Sequence, residues 1–444
     1  MRIRTKLALM AGDLLLFSLC LLGATYLQCR ELEPLFGKYS TIWVLSLTIY
    51  PLCLYITRSY ELQPEASSAE NLRRSVLGLL AAASTISLVF CFGLEFRFSR
   101  GIFGVANIIF IFVLPLWRLG VFLHLRRRSL SVLLMGNATA VEMARHFIRE
   151  FSPSSRTQVW QPREEAEGAS IHTDPQEAHF NRSHIDLLIL AGHSLAPPTL
   201  RKAAALRLEG VIVWDLPRLW SEFAERLPAG YIDEGWIATA EGFRSLNGQG
   251  FQVTKRLLDI SLAFILLLIN LPVLALAAIL IKFGDRGSLL YHQERVGKGG
   301  KAFCIHKLRT MVGQAEDVTG PVWASPDDPR VTLAGRWLRK LRIDEIPQMW
   351  NVLKGEMSFV GPRPERRVFV EALQSKFPVY SLRHLVRPGV TGWAQVHCPY
   401  AASEEETLLK LEYDLYYLQN ASLLFDIRII LRTICTVASL WGSW

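Results

Sequence analysis

The stretch Leu257 to Ile281, LLDISLAFILLLINLPVLALAAILI, decides how this chain meets a membrane. It is as long as the ~20 apolar residues that a bilayer crossing takes. Lys255, Arg256 and Asp259 lie at its start, and Lys282, Asp285 and Arg286 at its end. Its centre reads Asn270-Leu271-Pro272. A proline there removes one helix hydrogen bond and bends the helix, and Asn270 can cap the backbone so exposed. Two readings satisfy these residues. One is a kinked span, since membrane helices tolerate proline. The other is a helix that enters one leaflet, breaks at Asn270 and Pro272, and returns to the face it came from.

Upstream, four further apolar stretches run from about Leu7 to Leu27, Thr41 to Thr57, Ser75 to Leu94 and Ile102 to Leu123. Short loops join them, so residues 1–128 read as a four-span helical bundle. The first stretch does not read as a cleavable signal peptide, because no small-residue cleavage site follows it and more spans do. Asp13 falls inside it and must face the bundle interior or snorkel to the nearby end, with no polar partner evident along the chain. Arg2, Arg4, Lys6, Arg58, Arg73, Arg74 and Arg126 to Arg128 outnumber Arg30, Lys38, Arg97 and Arg100 on the alternate loops. The positive-inside rule then puts both ends of the bundle in the cytoplasm.

Composition agrees with a membrane protein. The 444 residues are 50% hydrophobic and 20% charged, with a mean hydropathy of +0.23. That excludes a disordered chain, and 7 cysteines without a CxxC pair exclude a disulfide scaffold. The 49 Lys and Arg against 40 Asp and Glu leave a net charge of +9, which suits cytoplasmic membrane flanks, an anionic ligand or nucleic acid. Nucleic acid is set aside, because the basic residues are scattered and do not form one face interleaved with aromatics.

Residues 129–250 alternate apolar runs with helical stretches. Ser131 to Met135, Ile185 to Ala191 and Val211 to Trp214 read as strands, and Thr139 to Arg149 and Pro198 to Leu208 as helices. The pattern predicts a small Rossmann-like parallel α/β module. Gly136 closes the first strand, but Asn137, Ala138 and Thr139 supply no further glycine, so a bound dinucleotide is not expected. The module serves packing or oligomerisation on this reading, and a homodimer through it is one expectation. The polar stretch from Arg156 to His184 reads as an exposed insertion.

Residues 251–444 hold the chemistry. The run from Asp328 to Pro364 is DPRVTLAGRWLRKLRIDEIPQMWNVLKGEMSFVGPRP. Ile346, Met349, Trp350 and Leu353 recur at helical spacing, with Pro347 suited to the first turn and Gly355 to the stop. Asp344 and Glu345 then sit at a helix N-terminus, where the macrodipole keeps carboxylates ionised and also attracts phosphate. An ordinary N-cap would look the same. Arg295, Lys307, Arg309, Arg330, Arg339, Arg342 and Arg363 surround the pair in sequence, a set that matches diphosphate recognition. Arg363 lies between Pro362 and Pro364 after Gly361, so its backbone is stiff. Further on, Leu408, Leu411, Leu415 and Leu418 form a helical stripe. Leu423 to Trp441, with Arg428 and Arg432 interleaved, reads either as a helix packed on the domain or as one resting on the bilayer.

Taken in order, Lys255-Arg256-x-x-Asp259, Arg295-Val296-Gly297, Lys307-Leu308-Arg309-Thr310-Met311, Asp344-Glu345-Ile346-Pro347-Gln348, Gly361-Pro362-Arg363-Pro364 and Pro388-Gly389-Val390-Thr391-Gly392-Trp393 resemble the bacterial sugar transferase family. These are the monotopic phosphoglycosyl transferases. The likeness covers roughly residues 250 to 435, and the segments before it resemble the family's long form. The run Pro364-Glu365-Arg366 through Tyr380 to His384, with Tyr413 to Tyr417, resembles the exopolysaccharide subgroup associated with exosortase systems.

The resemblance implies a mainly α-helical monotopic catalytic domain with a re-entrant broken helix, on the cytoplasmic face of a bacterial inner membrane. It implies transfer of a sugar-1-phosphate from a UDP-sugar donor to a polyprenyl phosphate acceptor, with release of UMP. Asp344 would be the nucleophile and Glu345 the residue associated with Mg2+, while Arg339, Arg363, Lys307 and Arg309 would hold phosphate oxygens. Downstream glycosyltransferases would take the product. Two positions depart from the family pattern: Leu271 stands where serine is usual and Leu308 where phenylalanine is. The first leaves the angle of the helix break open. A membrane scaffold without catalysis is the competing reading, and the intact acid pair with its basic set argues against it.

Overall fold

A computed structural model describes residues 2–31, 40–57, 59–60, 68–92, 100–127, 131–151, 155–160, 185–192, 195–243, 246, 248–285, 287–312, 330–398 and 404–438. The chain forms two compact units, Met1–Phe223 and Ala224–Trp444. Most of the predicted insertion between Arg156 and His184, the flanking residues Arg58, Lys38 and Arg97, and Trp441 lie outside the described residues.

Among the described residues, the first unit opens with four helices: α1 (Arg2–Cys29), α2 (Ser40–Ile56), α3 (Ser68–Phe92) and α4 (Arg100–Arg127). Among the described residues of this unit, Leu7–Cys29 and Gly101–Val121 are long and apolar enough to cross a membrane, and Trp43–Tyr55 is a shorter apolar helix. The bundle core mixes aliphatic side chains with an aromatic cluster. Phe17 of α1 lies tilted against Tyr50 of α2 at 4.2 Å and meets Phe110 of α4 edge-on at 5.1 Å. Asp13 faces the interior and has a partner that chain order conceals, an ion pair with Arg118 of α4. The Arg118 guanidinium also lies 4.7 Å over the Tyr60 ring. A charge buried among helices needs such a partner.

A parallel sheet follows, as expected, but with one strand more than the apolar pattern marks. Its strands β1 (Ser131–Gly136), β2 (Arg156–Trp160), β3 (Leu187–Ala191) and β4 (Ile212–Asp215) are ordered β2-β1-β3-β4. The helices are α5 (Ala138–Phe151), α6 (Pro197–Leu208) and α7 (Leu216–Ala224). Central β1 and β3 are buried runs, the mark of strands covered on both faces. β2 is a partly exposed edge strand, and its polar sequence explains why residues 156–160 read as part of an insertion. Gly136 has φ 152, and a Cβ there would lie 1.8 Å from the Ala191 carbonyl. The glycine therefore lets β1 pass close to the end of β3. Asn137 Oδ1 accepts from Ala140 N at 3.0 Å and starts α5, so this turn is a capped strand exit.

The second unit holds the short helix α8 (Glu234–Thr239) and then α9 (Gln249–Asp285), which carries the apolar run. After it come the antiparallel hairpin β5 (Leu290–Val296) and β6 (Ala302–Leu308), then α10 (Leu333–Lys340) and α11 (Gln348–Lys354). Next are β7 (Ser358–Val360), α12 (Arg367–Lys376), a 3-10 segment (Pro378–Leu385) and β8 (Gly389–Thr391), which pairs in parallel with β7. α13 (Glu404–Asn420) and α14 (Leu423–Ala438) close the unit. Its largest core gathers Trp393, Tyr380, Tyr417, Leu415, Leu418 and Ile429, and includes Leu227, Ala229 and Ile232 from before α9. The leucine stripe of α13 is buried in this core as predicted.

Two features of this unit refine the reading of its helices. The helix α9 stays helical through Pro272, which lies inside it, and a bend at Asn270 and Pro272 is compatible with that. Proline frees only the carbonyl four residues back, and Asn270 Nδ2 donates to Leu266 O at 2.8 Å, within its own preceding turn. In α14, Arg428 and Arg432 turn inward to the Trp393 ring, at 4.8 and 4.6 Å. The exposed face there is apolar instead: Leu424, Ile427, Ile434 and Val437.

Both ends of α9 are fixed to the second unit. Lys255 Nζ donates to Asp426 Oδ2 at 2.7 Å and to Val360 O at 3.0 Å. The Arg256 guanidinium caps the end of α11 through the Val352 and Leu353 carbonyls, at 2.6 and 2.7 Å. Asp259 Oδ1 accepts from Ser358 Oγ at 3.0 Å and Phe359 N at 2.8 Å. Past Pro272, Ala277 and Ile281 pack with Leu308 and Leu338. Around Pro272 itself the helix exposes Phe264, Leu268, Ile269, Leu271 and Leu276.

Candidate active site

The acid pair is presented by a reversal of the chain. After α10, Arg342 takes the left-handed conformation, φ 57 and ψ 18, and a single 3-10 turn over Ile343–Glu345 follows. The carboxylates thus lie directly ahead of α11, which begins at Gln348 with Pro347 as its cap residue. The predicted stop holds, since Gly355 ends the helix at φ 88. Its predicted apolar stripe shifts: Met349 and Val352 are buried while Trp350 is 53% exposed.

The hairpin β5–β6 and the turn after β7 supply the cations. Lys307 at the end of β6 reaches Glu345 Oε1 at 3.0 Å, and Arg363 Nη2 donates to the same oxygen at 2.7 Å. Arg339 of α10 donates through Nε to Thr310 Oγ1 at 2.9 Å. Arg309 lies two residues beyond Lys307, with its guanidinium against Gly287. The Arg330 carbonyl accepts from Val312 N at 3.0 Å, beside the bridge of Met311 to Val331. Arg295 stands behind Arg363. Its guanidinium donates to the Pro364 carbonyl at 3.2 Å and to Gln293 Oε1 at 2.6 Å, and lies 3.6 Å from Glu365.

These surroundings divide the two acids. Burial alone would raise the Glu345 carboxyl, but Arg363, Lys307 and Arg342 outweigh it and hold the group well below the usual carboxylate range. Asp344 is pushed up to about 6 by burial; Lys307, Arg339 and Arg342 oppose the rise, while the charge on Glu345 adds to it. Among the described residues, none hydrogen-bonds the Asp344 carboxylate. One acid is therefore locked by two cations, while its neighbour is raised by burial to about 6 and accepts no hydrogen bond among the described residues. Such a pair can combine a carboxylate able to attack with a fixed anion beside it.

Sequence reasoning missed the braces of this site. Arg383 Nη2 donates to the Arg363 carbonyl at 3.0 Å and to Asp414 Oδ2 at 2.8 Å, and Nη1 donates to the Tyr380 hydroxyl. Asn351 ties α11 to β6: its Oδ1 accepts from His306 N at 3.1 Å, and its Nδ2 donates to Cys304 O and Glu356 Oε2, each at 2.7 Å. The two glycine motifs also meet. Gly361 N donates to Thr391 O at 2.9 Å and Gly389 N to Pro362 O at 2.8 Å, while a Cβ on Gly389 would lie 2.2 Å from Gly361 N. Only glycine permits that approach, which aims the stiff Pro362-Arg363-Pro364 turn at Glu345.

The second unit thus brings together a paired acid, cations acting on it from Lys307, Arg339, Arg342 and Arg363, and an apolar helix anchored at both ends. The chain belongs to the bacterial sugar transferase family, whose profile matches residues 250–439. It is 36% identical over 206 residues to the exopolysaccharide production protein ExoY of Sinorhizobium fredii, covering 43% of this chain and 88% of that protein. It is 46% identical over 254 residues to the UDP-N-acetylgalactosamine-undecaprenyl-phosphate N-acetylgalactosaminephosphotransferase of Aeromonas hydrophila, covering 57% of this chain and 59% of the relative. Against the undecaprenyl-phosphate glucose phosphotransferase of Komagataeibacter xylinus it is 34% identical over 262 residues, covering 56% of this chain and 48% of the relative. The matched part thus spans about half the length of these last two relatives.

Proposed function

We propose that the chain transfers a sugar-1-phosphate from a UDP-sugar to a polyprenyl phosphate, in two displacements at Asp344. In the first, an Asp344 carboxylate oxygen attacks the phosphorus that bears the sugar. The bond from that phosphorus to the bridging oxygen breaks, and UMP leaves with the oxygen. In the second, a phosphate oxygen of the polyprenyl phosphate attacks the aspartyl phosphosugar, which frees Asp344 and leaves a polyprenyl-diphosphate sugar. Splitting the transfer this way lets one site serve a soluble donor and a lipid acceptor in turn.

The observation that carries this reading is the contrast within the acid pair. Glu345 is pinned by Lys307 and Arg363 at 3.0 and 2.7 Å, while Asp344 is buried, pushed up to about 6 by that burial, and accepts no hydrogen bond among the described residues. Lys307, Arg339, Arg342 and Arg363 would neutralise charge on the transferring phosphoryl group. A carboxylate has about four lone-pair sites, so Glu345 retains acceptor capacity and would hold a hard cation such as Mg2+. When bound, the ion would draw charge from the phosphate oxygens.

Topology follows the same logic. Lys255 and Asp259 at one end of α9, and Ala277 and Ile281 at the other, pack on one compact unit. Anchoring both ends of the helix on one unit favours keeping them on the same face of a bilayer. This supports a helix that dips into one leaflet through its exposed middle and holds the site at the cytoplasmic surface, where a UDP-sugar is available. The two relatives named as phosphotransferases act on undecaprenyl phosphate by their names, which supports that acceptor class here.

The test uses membranes carrying the full chain, Mg2+, undecaprenyl phosphate and sugar-labelled UDP-sugars. Wild type should release labelled lipid, and without acceptor it should retain label on the protein. Asp344→Asn should do neither. Labelled lipid from that variant at the wild-type rate would reject the nucleophile.

A further inference from the structure

The hairpin that carries Lys307 has a second set of reactive side chains on its other face. His292 of β5 stands directly opposite His306 of β6, and Cys304 lies two residues before His306. Residues two apart on a strand share a face, and adjacent ones point to opposite faces. The two imidazoles and the thiol therefore lie on one side, while Lys307 points to the other and reaches Glu345. A ring nitrogen of each histidine and Cys304 Sγ lie within 4.8 Å of one another. The His292 and His306 Nδ1 atoms are 2.8 Å apart, with the rings perpendicular at 89°. Cys304 and His292 are exposed and His306 is half-buried, so an ion can enter from solvent.

We propose that His292, Cys304 and His306 form a binding site for a zinc-type divalent transition-metal ion, with its fourth position open to water. Two imidazoles and one thiolate form a borderline-soft set, which selects zinc or cobalt over magnesium or calcium. Tetrahedral bonds of about 2.0–2.1 Å place two ligating nitrogens roughly 3.3 Å apart. The two Nδ1 atoms, 2.8 Å apart without an ion, would separate slightly to reach it. The ligand strand is already held, because Asn351 accepts from His306 N at 3.1 Å and donates to the Cys304 carbonyl at 2.7 Å. Such outer contacts fix ligands before the ion arrives. Binding deprotonates Cys304 and releases its proton to solvent. An ion here clamps β5 to β6 behind Lys307, so occupancy of one face stiffens the cation that holds Glu345 on the other.

The test titrates the full chain in detergent with Co2+, whose thiolate complexes absorb in the near ultraviolet and whose tetrahedral complexes have strong visible bands. Wild type should show both at one equivalent, and Zn2+ should displace them. Cys304→Ser should lose the thiolate band. His292→Ala should bind at least about tenfold more weakly, since even outer-contact losses cost that much. Asp344→Asn should bind cobalt like wild type, which separates this result from any failure of the transfer assay. No band in wild type, or a thiolate band that survives Cys304→Ser, would overturn the site.

Discussion

At the residue scale, Asp344 and Glu345 are neighbours of the same chemistry that the fold makes different. Lys307 and Arg363 converge on one oxygen of Glu345, whereas burial dominates at Asp344. On the proposed mechanism, a nucleophile whose pKa is pushed up to about 6 loses activity on the acid side. Below about pH 6 each further unit should lower the rate of UMP release about tenfold, since only the ionised carboxylate attacks. Stopped-flow UMP release without acceptor checks this, and a flat rate from pH 7 to pH 5 would contradict it. The acid pair and most of its cations were legible as residues in sequence. Their division of labour was not, because Lys307 lies 38 residues and Arg363 18 residues from Glu345.

At the element scale, the site depends on short pieces braced by single side chains. β7 and β8 have three residues each, and α11 has seven. Elements this short are not stable by propensity, so tertiary hydrogen bonds hold them. Asn351 is the brace between α11 and β6, and it is fully buried. Asn351→Ala leaves the His306 amide and the Cys304 carbonyl without this partner, at a cost of about 1–3 kcal/mol. A denaturant melt of the full chain in detergent should show that loss, with a lower transfer rate as Lys307 moves. An unchanged melt would show that other groups or water replace the amide. The glycine stops were readable because Gly136 and Gly355 carry local conformational demands. The edge strand β2 was not, since a half-exposed strand reads as polar loop.

At the scale of the whole molecule, each unit meets the membrane question in its own way. In the first, Asp13 and Arg118 are paired 105 residues apart in sequence. Arg118→Ala strands a buried carboxylate and should destabilise the bundle by about 3–5 kcal/mol. Arg118→Ala with Asp13→Ala should recover part of that loss in the same thermal unfolding assay. In the second unit, the anchors at both ends of α9 predict that Val253→Cys and Phe283→Cys label from the same face of sealed vesicles. Labelling from opposite faces would make α9 a true span.

The amino-acid sequence by itself determined what is local: apolar segments long enough for lipid, a parallel α/β alternation, the glycine turns, and a motif order that identifies the family. These follow from periodicity, from backbone sterics and from hydropathy, which act over a few residues. Only the tertiary structure decided which charges pair, that helix α9 continues through Pro272 with both ends on one unit, and that Arg428 and Arg432 face the core. It also placed His292, Cys304 and His306 on one face behind Lys307. Such outcomes depend on which distant groups share a buried, low-dielectric space, where an unpaired charge costs several kcal/mol and a pairing is enforced.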